Sequence, residues 1–533
     1  MPDGITYLPY SDTGYFSRLV TDYLAKDPKT REFYDHYPDK EGLAAAIKER
    51  DNFLVNREVL AAILSRQYKD MPRHEAVNHN IALLREHNTY TICTAHQPNL
   101  MTGYLYFIYK IVHAIKLAEE LKQLYPGKNF VPVYYIGSED NDLDELGTFR
   151  YADKKFVWDG GGQEGAVGRM NTASLEPLLN ELFNLLGPPG ENCDTLKELL
   201  SNAYLEHSSI ARATQYLVNE LFGRYGLIAL DPDEAVFKQA ILPILQDDLL
   251  HQTAYSLVNT AAARLNEHYK VQAMPRPINL FYLKDQLRAR IEIKDGKWHV
   301  VDTDITWDKT ELDAELETHP ERFSPNVILR GVLQESILPN IAFIGGGAEI
   351  AYWLQLKSVF AHYKVFFPSL HLRQSVLWID AAQNKLMQQL DLTVKDIFKP
   401  VEELVKQYIK DNSEDDWHTG DETAEIEKIL ALLKQKASLL DPSLSRSSDA
   451  VLTKIKYQLL VLEKKMLRAE KRKMQVQAQR IGKLKQQLFP NGTLQERIGN
   501  FMPYFLQYGH MYFDLLKEAM QPLMAQFLVI KDK

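Results

Sequence analysis

The stretch Thr89-Tyr-Thr-Ile-Cys93-Thr-Ala-His96-Gln97-Pro98-Asn99-Leu-Met-Thr102-Gly103, taken together with residues 104–136, sets the architecture of the chain. Thr89 to Cys93 is a short β-type run that ends in a polar turn. From Tyr104 to about Tyr125 the period changes to that of a helix, with Leu105, Ile108, Val112, Ile115 and Leu121 marking its buried stripe, and Pro126-Gly127 stops it. Phe130 to Ile136 is a second β-type run, and Pro132 near its start is tolerable at a strand entry. Strand, helix and strand within about 45 residues make a βαβ unit. Such a unit implies a parallel sheet with a right-handed crossover and a ligand site at the strand carboxyl ends.

The same pattern returns late in the chain. Asn340-Ile-Ala-Phe-Ile344 runs into Gly345-Gly-Gly347, a helix is expected from about Ala348 to Tyr363, and Lys364-Val-Phe-Phe367 is expected as another strand. Between the two patterns, residues 150 to about 330 show a Gly-rich hairpin (Phe156 to Met170), two helical stretches and a β pair (Ile278 to Ile293), and are expected as insertions decorating the sheet. Residues 11 to 87 are expected to be helical, with Asp12 or Thr13 as a cap and Leu43–Ile47 and Val59–Leu64 on buried faces. From Ala381 onward the pattern is helical, interrupted by a polar linker at 411–421. Within 449–488, Ile455, Leu459, Leu462, Met466 and Ala469 alternate by four and three as a coiled-coil seam. Lys473 breaks that register, and Met474, Ala478 and Ile481 restore it.

Composition narrows the function class. A chain of 533 residues, 45% hydrophobic and 11% aromatic with mean hydropathy −0.31, can bury several cores, so disorder is excluded and three or four structural units are expected. Net charge is −9, so the bulk field does not attract nucleic acid or anionic lipid. That figure conceals a segregation: from Glu463 to Lys485 nine Lys/Arg oppose two acids, +7 on one helix and −16 elsewhere. Two cysteines, Cys93 and Cys193, cannot staple so large a chain, and reduced thiols in a cytoplasmic setting fit best. No run of about 18 apolar residues occurs, and residues 1–10 lack the charged and apolar regions of a leader, so a soluble intracellular protein is expected.

Four turns carry candidate chemistry. His96, Gln97 and Asn99 lie between a strand and a helix start that favours an anion, and Gly103 permits close approach. The competing reading makes Asn99 or Thr102 a helix cap and His96 a turn histidine. Gly137-Ser-Glu139-Asp140-Asn141-Asp142-Leu-Asp144-Glu145 crowds five acids at a strand end, suited to a general base, an ammonium partner or Mg²⁺. Otherwise it is an acidic helix start complementing the dipole. Gly345-Gly346-Gly347-Ala-Glu349-Ile-Ala-Tyr352 could receive a nucleotide or acyl group with Glu349 on an amine, or simply pack strand against helix. His371-Leu-Arg373-Gln-Ser375 offers Arg373 to a phosphate or carboxylate. Gly160-Gly-Gly162-Gln-Glu-Gly165 matches a dinucleotide pattern only in letters, because no helix opens there. No phosphate loop, no GxSxG elbow and no zinc-protease spacing is present, the nearest being His74-Glu75-Ala-Val-Asn78-His79. No Cys/His cluster offers four metal ligands, and Cys93 is expected as a small buried hydrophobe.

These residues resemble the cysteine ligase family of bacillithiol biosynthesis, the cysteine-adding enzymes. The likeness runs through the first turn with Gly103 and Tyr106–Lys110, then Val131 to Asp142, then Phe323-Ser-Pro-Asn326 to Arg330, Gly345 to Trp353, and Leu488-Phe-Pro-Asn-Gly-Thr-Leu-Gln495-Glu496-Arg497, in the family's order over nearly the whole chain. Asn141 stands where the family commonly has His, Ala95 where it has Gly, and Tyr104 where Pro often follows Gly.

The resemblance implies an α/β fold: a Rossmann-like parallel sheet core related to class I synthetases, with connecting-peptide insertions and a C-terminal α-helical coiled coil that makes a homodimer. On that view 1–88 is an N-terminal helical segment packed on the core, 89–149 and 336–380 are the two halves of the core, and 150–335 holds insertions and core elements. The coiled-coil domain is 381–488, and 489–533 returns to the core. The implied reaction adds L-cysteine to the amine of glucosaminyl-malate, giving bacillithiol. Glu139, Asp140, Asp142 and His96 are then the catalytic candidates. Gln97, Asn99, Gly103, Gly346, Glu349, Tyr352 and Arg373 are the substrate-binding candidates, and Gln495 and Arg497 the nucleotide-binding ones. The activating cosubstrate stays open, with ATP or ADP and Mg²⁺ as candidates; no resident metal, nucleic acid or membrane partner is implied. Two other readings compete: a non-catalytic dimeric nucleotide-binding scaffold, and an adenylyl-transferring enzyme acting on another carboxylic acid.

Overall fold

A computed structural model describes residues 2–152, 154–413 and 419–533. The chain divides into two compact units: Tyr7–Leu377 with Leu494–Ile530, and Trp378–Thr493 with short pieces of both termini.

The larger unit is built on a five-stranded sheet. In chain order its strands are Thr89–His96, Asn129–Ile136, Ile228–Leu230, Asn340–Gly345 and Ser369–Leu372, and they lie side by side as fifth, fourth, first, second, third. Every pairing is parallel. Thr89 to His96 pairs in continuous register with Asn129 to Ile136, while a bulge near Asn340 adjusts the other neighbour. Nearly every residue of the central strands is buried, as covering both faces of a parallel sheet requires. Pro132 lies one residue ahead of Val133–Tyr135, the stretch that pairs with Ile228–Leu230, so its missing N–H falls on a free flank. The helix Leu105–Leu124 makes the crossover and is buried around most of its circumference, including Lys110 and His113. The strand order reverses between Thr89–His96 and Asn340–Gly345, whose carboxyl ends therefore splay apart and leave a crevice.

Several elements differ from expectation. The first helix, Arg18–Leu24, is capped by Ser17, whose Oγ accepts from the Val20 N–H; Asp12 and Thr13 belong to a 3-10 turn. Pro2–Pro9 is a strand. The hairpin expected at 156–170 is instead Thr148–Tyr151 with Lys154–Val157, because Gly160, Gly161 and Gly162 all take positive φ and cannot extend a strand. Residues 176–266 form six helices rather than two, and they enclose Ile228–Leu230, a strand of the core sheet. The β pair near 278–293 belongs to a five-stranded antiparallel sheet running to Phe323–Pro325. The helix expected over 348–363 is two, Gly347–Trp353 and Lys357–Tyr363.

Residues 364–367 are not a strand. Lys364 is left-handed (φ 55°), Pro368 lacks a donor, and Phe366 and Phe367 bury their rings against His36, Phe53, Trp353 and Phe360 without joining a ladder; the strand begins at Ser369.

The smaller unit is helical. Gly420–Leu440 and Leu444–Lys473 are joined by ion pairs Lys434–Asp449 and Lys456–Glu427, and Gln475–Leu488 follows. The register break expected at Lys473 is a break in the helix itself, at Met474. Of the expected polar linker, 411–412 end one helix and Gly420 opens the next, while 414–418 lie outside the described residues. A local core of Leu390, Leu404, Val405, Ile409 and Ile481 anchors the base of this unit.

Candidate functional site

A cleft of about 390 Å³ opens at the reversal of strand order, within the larger unit. Its floor is Ala95, His96 and Gln97 from one strand end, Ile136 to Asp140 from the next, and Gly346 to Glu349 from the third. The segment Ser324–Arg330, with Arg288, Arg373 and Arg497, completes the wall.

The first turn is tied to the second. Gln97 Nε2 donates to Asp140 Oδ2 at 2.9 Å, and the Tyr134 hydroxyl donates to the His96 carbonyl at 3.0 Å. His96 is half-buried, its ring edge-on to that of Tyr106. Burial first, then the charges of Lys110, Arg373 and Arg330, hold its imidazole well below the ordinary histidine range, so it is neutral. Asn99 and Gly103 do not line the cleft: a Cβ on Gly103 (φ 62°) would meet the Asn99 side chain at 2.9 Å. Neither Asn99 nor Thr102 caps the crossover helix; the Leu105 N–H donates to the Gly499 carbonyl instead.

In the acidic turn the side chains divide. Glu139 is buried, accepting from Lys238 Nζ at 2.6 Å and Ser324 Oγ at 3.1 Å. Asp140 accepts from Gln97 and from the Asn141 N–H, with the Arg288 guanidinium 3.8 Å away, and about a third of its side chain stays open. Asp142 lies outside the cleft and caps Leu143–Leu146 through the Glu145 N–H, while Asp144 and Glu145 occupy that helix's first turn. The dipole reading therefore describes the second half of the turn, and the cleft receives only the first. Behind it, Ser138 Oγ donates to Asp231 at 2.6 Å, and burial pushes the Asp231 carboxyl up to about 7.

In the glycine turn, Glu349 accepts from the Gly346 N–H at 2.8 Å and from Lys110 Nζ at 2.5 Å. Lys110 also donates to the Ala95 carbonyl, and its burial lowers its pKa. Gly346 leaves the strand end open, since a side chain there would approach Glu349 and Arg373. Tyr352 accepts from Arg330 Nη2 at 3.0 Å.

Arg373 is held more firmly than its loop position suggested. Its two terminal nitrogens donate to both oxygens of Glu496 at 2.8 and 2.6 Å; Glu496 is fully buried and also accepts from Ser375 Oγ and the Val376 N–H. Arg497 lines the cleft and is exposed, whereas Gln495 does not reach it.

Sequence reasoning did not assign Lys110, Arg288 or Arg330. Lys110 had a signal, a cation set in the apolar first turns of its helix, and Arg330 ends a segment that carried the family likeness. Arg288 had none, since it reaches the site from the antiparallel sheet. Cys93 and Cys193 are free and buried, and burial pushes the Cys93 thiol up, away from nucleophilic use. Among the described residues no group of three or more His, Cys, Asp or Glu is placed to hold a metal, and no helix is long and apolar enough to cross a membrane.

Residues 4–374 match the family model described as the N-terminal Rossmann-like domain of bacillithiol biosynthesis BshC, and residues 376–531 match its C-terminal coiled-coil domain. Proteins named "Putative cysteine ligase BshC" from Flavobacterium psychrophilum and Flavobacterium johnsoniae are each 40% identical over 527 residues, covering 98% of this chain and 99% of theirs. One of the same name from Christiangramia forsetii is 36% identical over 529 residues, covering 98% of both chains.

Proposed function

The chain belongs to the bacillithiol biosynthesis BshC family, and from that membership we propose that it is the ligase that joins the carboxylate of L-cysteine to the amine of glucosaminyl-malate, the last step of bacillithiol formation. The observation that carries the reading is the cleft itself. At the reversal of a parallel sheet it gathers acidic side chains that suit an ammonium and basic ones that suit carboxylates.

In this reading the amine arrives as an ammonium against Asp140, the acid of the second turn still partly open to the cleft, and gives up its proton there. Glu139, already held by Lys238 and Ser324, keeps the turn rigid. The nitrogen lone pair then forms the new C–N bond, the carbonyl carbon sheds one oxygen with the activating group, and the second nitrogen proton leaves to solvent. A free carboxylate cannot lose that oxygen unaided at neutral pH, so a nucleoside triphosphate with Mg²⁺ would supply the activation. Its phosphates suit the exposed Arg497 at the cleft wall. Glu349, Tyr352 and Gly346 shape the space left for the substrates.

We also propose a cytoplasmic homodimer. Buried free thiols accord with a reducing compartment, and Leu432, Leu433, Leu439 and Leu460 expose about half or more of their surface on the helical hairpin, an apolar area that a second copy would cover.

The test is to incubate the purified protein with glucosaminyl-malate, L-cysteine, ATP and Mg²⁺ and to look for the bacillithiol mass by liquid chromatography and mass spectrometry. Product is expected; its absence with ATP and with every other nucleoside triphosphate, from folded protein, overturns the reading.

A further inference from the structure

Five cations line the cleft, and their partners distinguish them. Lys110 is paired with Glu349, Arg373 with Glu496, and Arg288 leans on Asp140 and donates to Asn141 Oδ1 at 2.8 Å. Arg497 is exposed and can be neutralised by solvent ions. Arg330 is different: among the described residues no carboxylate lies within ion-pair distance of it. Its guanidinium donates only to neutral acceptors, Gln334 Oε1 at 3.2 Å and the Tyr352 hydroxyl at 3.0 Å, and it stands 5.6 Å from the centroid of the Tyr135 ring. A guanidinium has five donors, and two of them are used here. Arg330 lines the cleft between Tyr135 and Tyr352, and its planar fork is matched to an oxyanion. A cation set against aromatic rings, with no carboxylate in ion-pair contact, is a site that a ligand oxyanion can complete.

We propose that Arg330 is the anchor for an oxyanion of the bound ligand, a carboxylate of the substrate or a phosphate of the activating nucleotide, with Tyr352 fixing the guanidinium that receives it. Arg373 differs from Arg330 because its charge is already met by the buried carboxylate of Glu496, whereas both acceptors of Arg330 are neutral. The inference rests on the ligase reading for the identity of the ligand, though not for the existence of the anion site.

Isothermal titration of the full-length protein with L-malate and, separately, inorganic pyrophosphate tests it without catalysis. Relative to wild type, Arg330→Gln is expected to weaken one or both anions about thirtyfold, the loss implied by one charge-assisted pair, and Arg330→Lys by less because it keeps the charge and loses the fork. A loss confined to malate identifies a carboxylate as the anion, and a loss confined to pyrophosphate identifies a phosphate. Tyr352→Phe, which keeps the ring and frees the guanidinium, carries the same test through a smaller loss should Arg330→Gln not fold. Equal affinities in wild type and variants, or no binding of either anion to wild type, overturn the proposal. Arg330-dependent binding in a protein that makes no bacillithiol would leave the anchor standing and remove the ligase reading. Product formation with an unchanged KM in Arg330→Gln would do the reverse.

Discussion

The cleft wall and the 420–473 helical hairpin both carry several ion pairs, but they use charge in opposite ways. In the wall, Arg373 and Glu496 expose 4% and 1% of their side chains, and Lys238 with Glu139 exposes 0% and 12%. In the hairpin, Lys456 and Glu427 expose 43% and 44%, and Lys434 and Asp449 are similarly open. Water screens the second set, so each pair there is nearly dispensable. Buried charges have only each other, so their geometry is enforced by the cost of separating them. The wall is thereby made rigid where substrates must be oriented, while the hairpin holds a helix pair whose apolar side chains remain exposed.

The sharpest way to break this contrast is to remove one member of a buried pair. Glu496→Ala strands the Arg373 guanidinium and is expected to cost about 3–5 kcal/mol in urea denaturation, with Glu496→Gln milder because it retains acceptor and shape. Next in size, Asp140→Asn keeps the Arg373–Glu496 and Lys238–Glu139 pairs, gives up only the 3.8 Å contact with Arg288, and is expected to lower kcat about a hundredfold with little change in stability, read by steady-state assay beside a melting curve. A comparable stability loss in both variants would erase the distinction between a structural and a reacting carboxylate.

A third test uses pH. Glu335 is buried, accepts from Gln334 and Asn340, and burial pushes its carboxyl up to about 7. Its proton is retained in the folded chain and released on unfolding between the ordinary glutamate value of 4.5 and about 7. Stability from this group therefore falls as pH rises through that window. Glu335→Gln cannot titrate, so it should flatten that slope and, at pH 8, match or exceed wild type by about 1–2 kcal/mol in the same denaturation assay. The smallest effect belongs to the hairpin: Lys456→Ala is expected to change stability by under about 0.5 kcal/mol, and a loss near that of Glu496→Ala would collapse the comparison.

Much of the core could be read from order alone. The period changes at Thr89 and Phe130, the glycines after Ile344 and the helical pattern beyond Ala381 with its polar linker are local signals that mark existing elements, although the helical expectation fails at the end, where Gln526–Asp532 is a strand. Boundaries failed where local and tertiary preferences diverge. Phe366 and Phe367 are as apolar as a strand demands but spend that character on ring packing, while the three residues of Ile228–Leu230 are too few to stand out among six helices. At the site, His96, Glu139, Asp140 and Glu349 were legible because they sit at strand ends, where a parallel sheet gathers side chains. Asp142, Asn99 and Gly103 sit near them in sequence, and Gln495 near Arg497, but all four lie outside the cleft, since a turn points successive residues in different directions.

The order of residues was enough to establish the alternation of strand and helix, the resemblance to a family, and the crowding of acids and donors into turns. All of these depend on residues close together in the chain. Which charges are spent and which are free was settled by the folded arrangement alone. Arg373 meets Glu496 across 123 positions and Glu139 meets Lys238 across 99, while Arg330, among the described residues, has no carboxylate in ion-pair contact. Charge pairing is a matter of distances of a few ångströms between remote residues, and no local pattern encodes it.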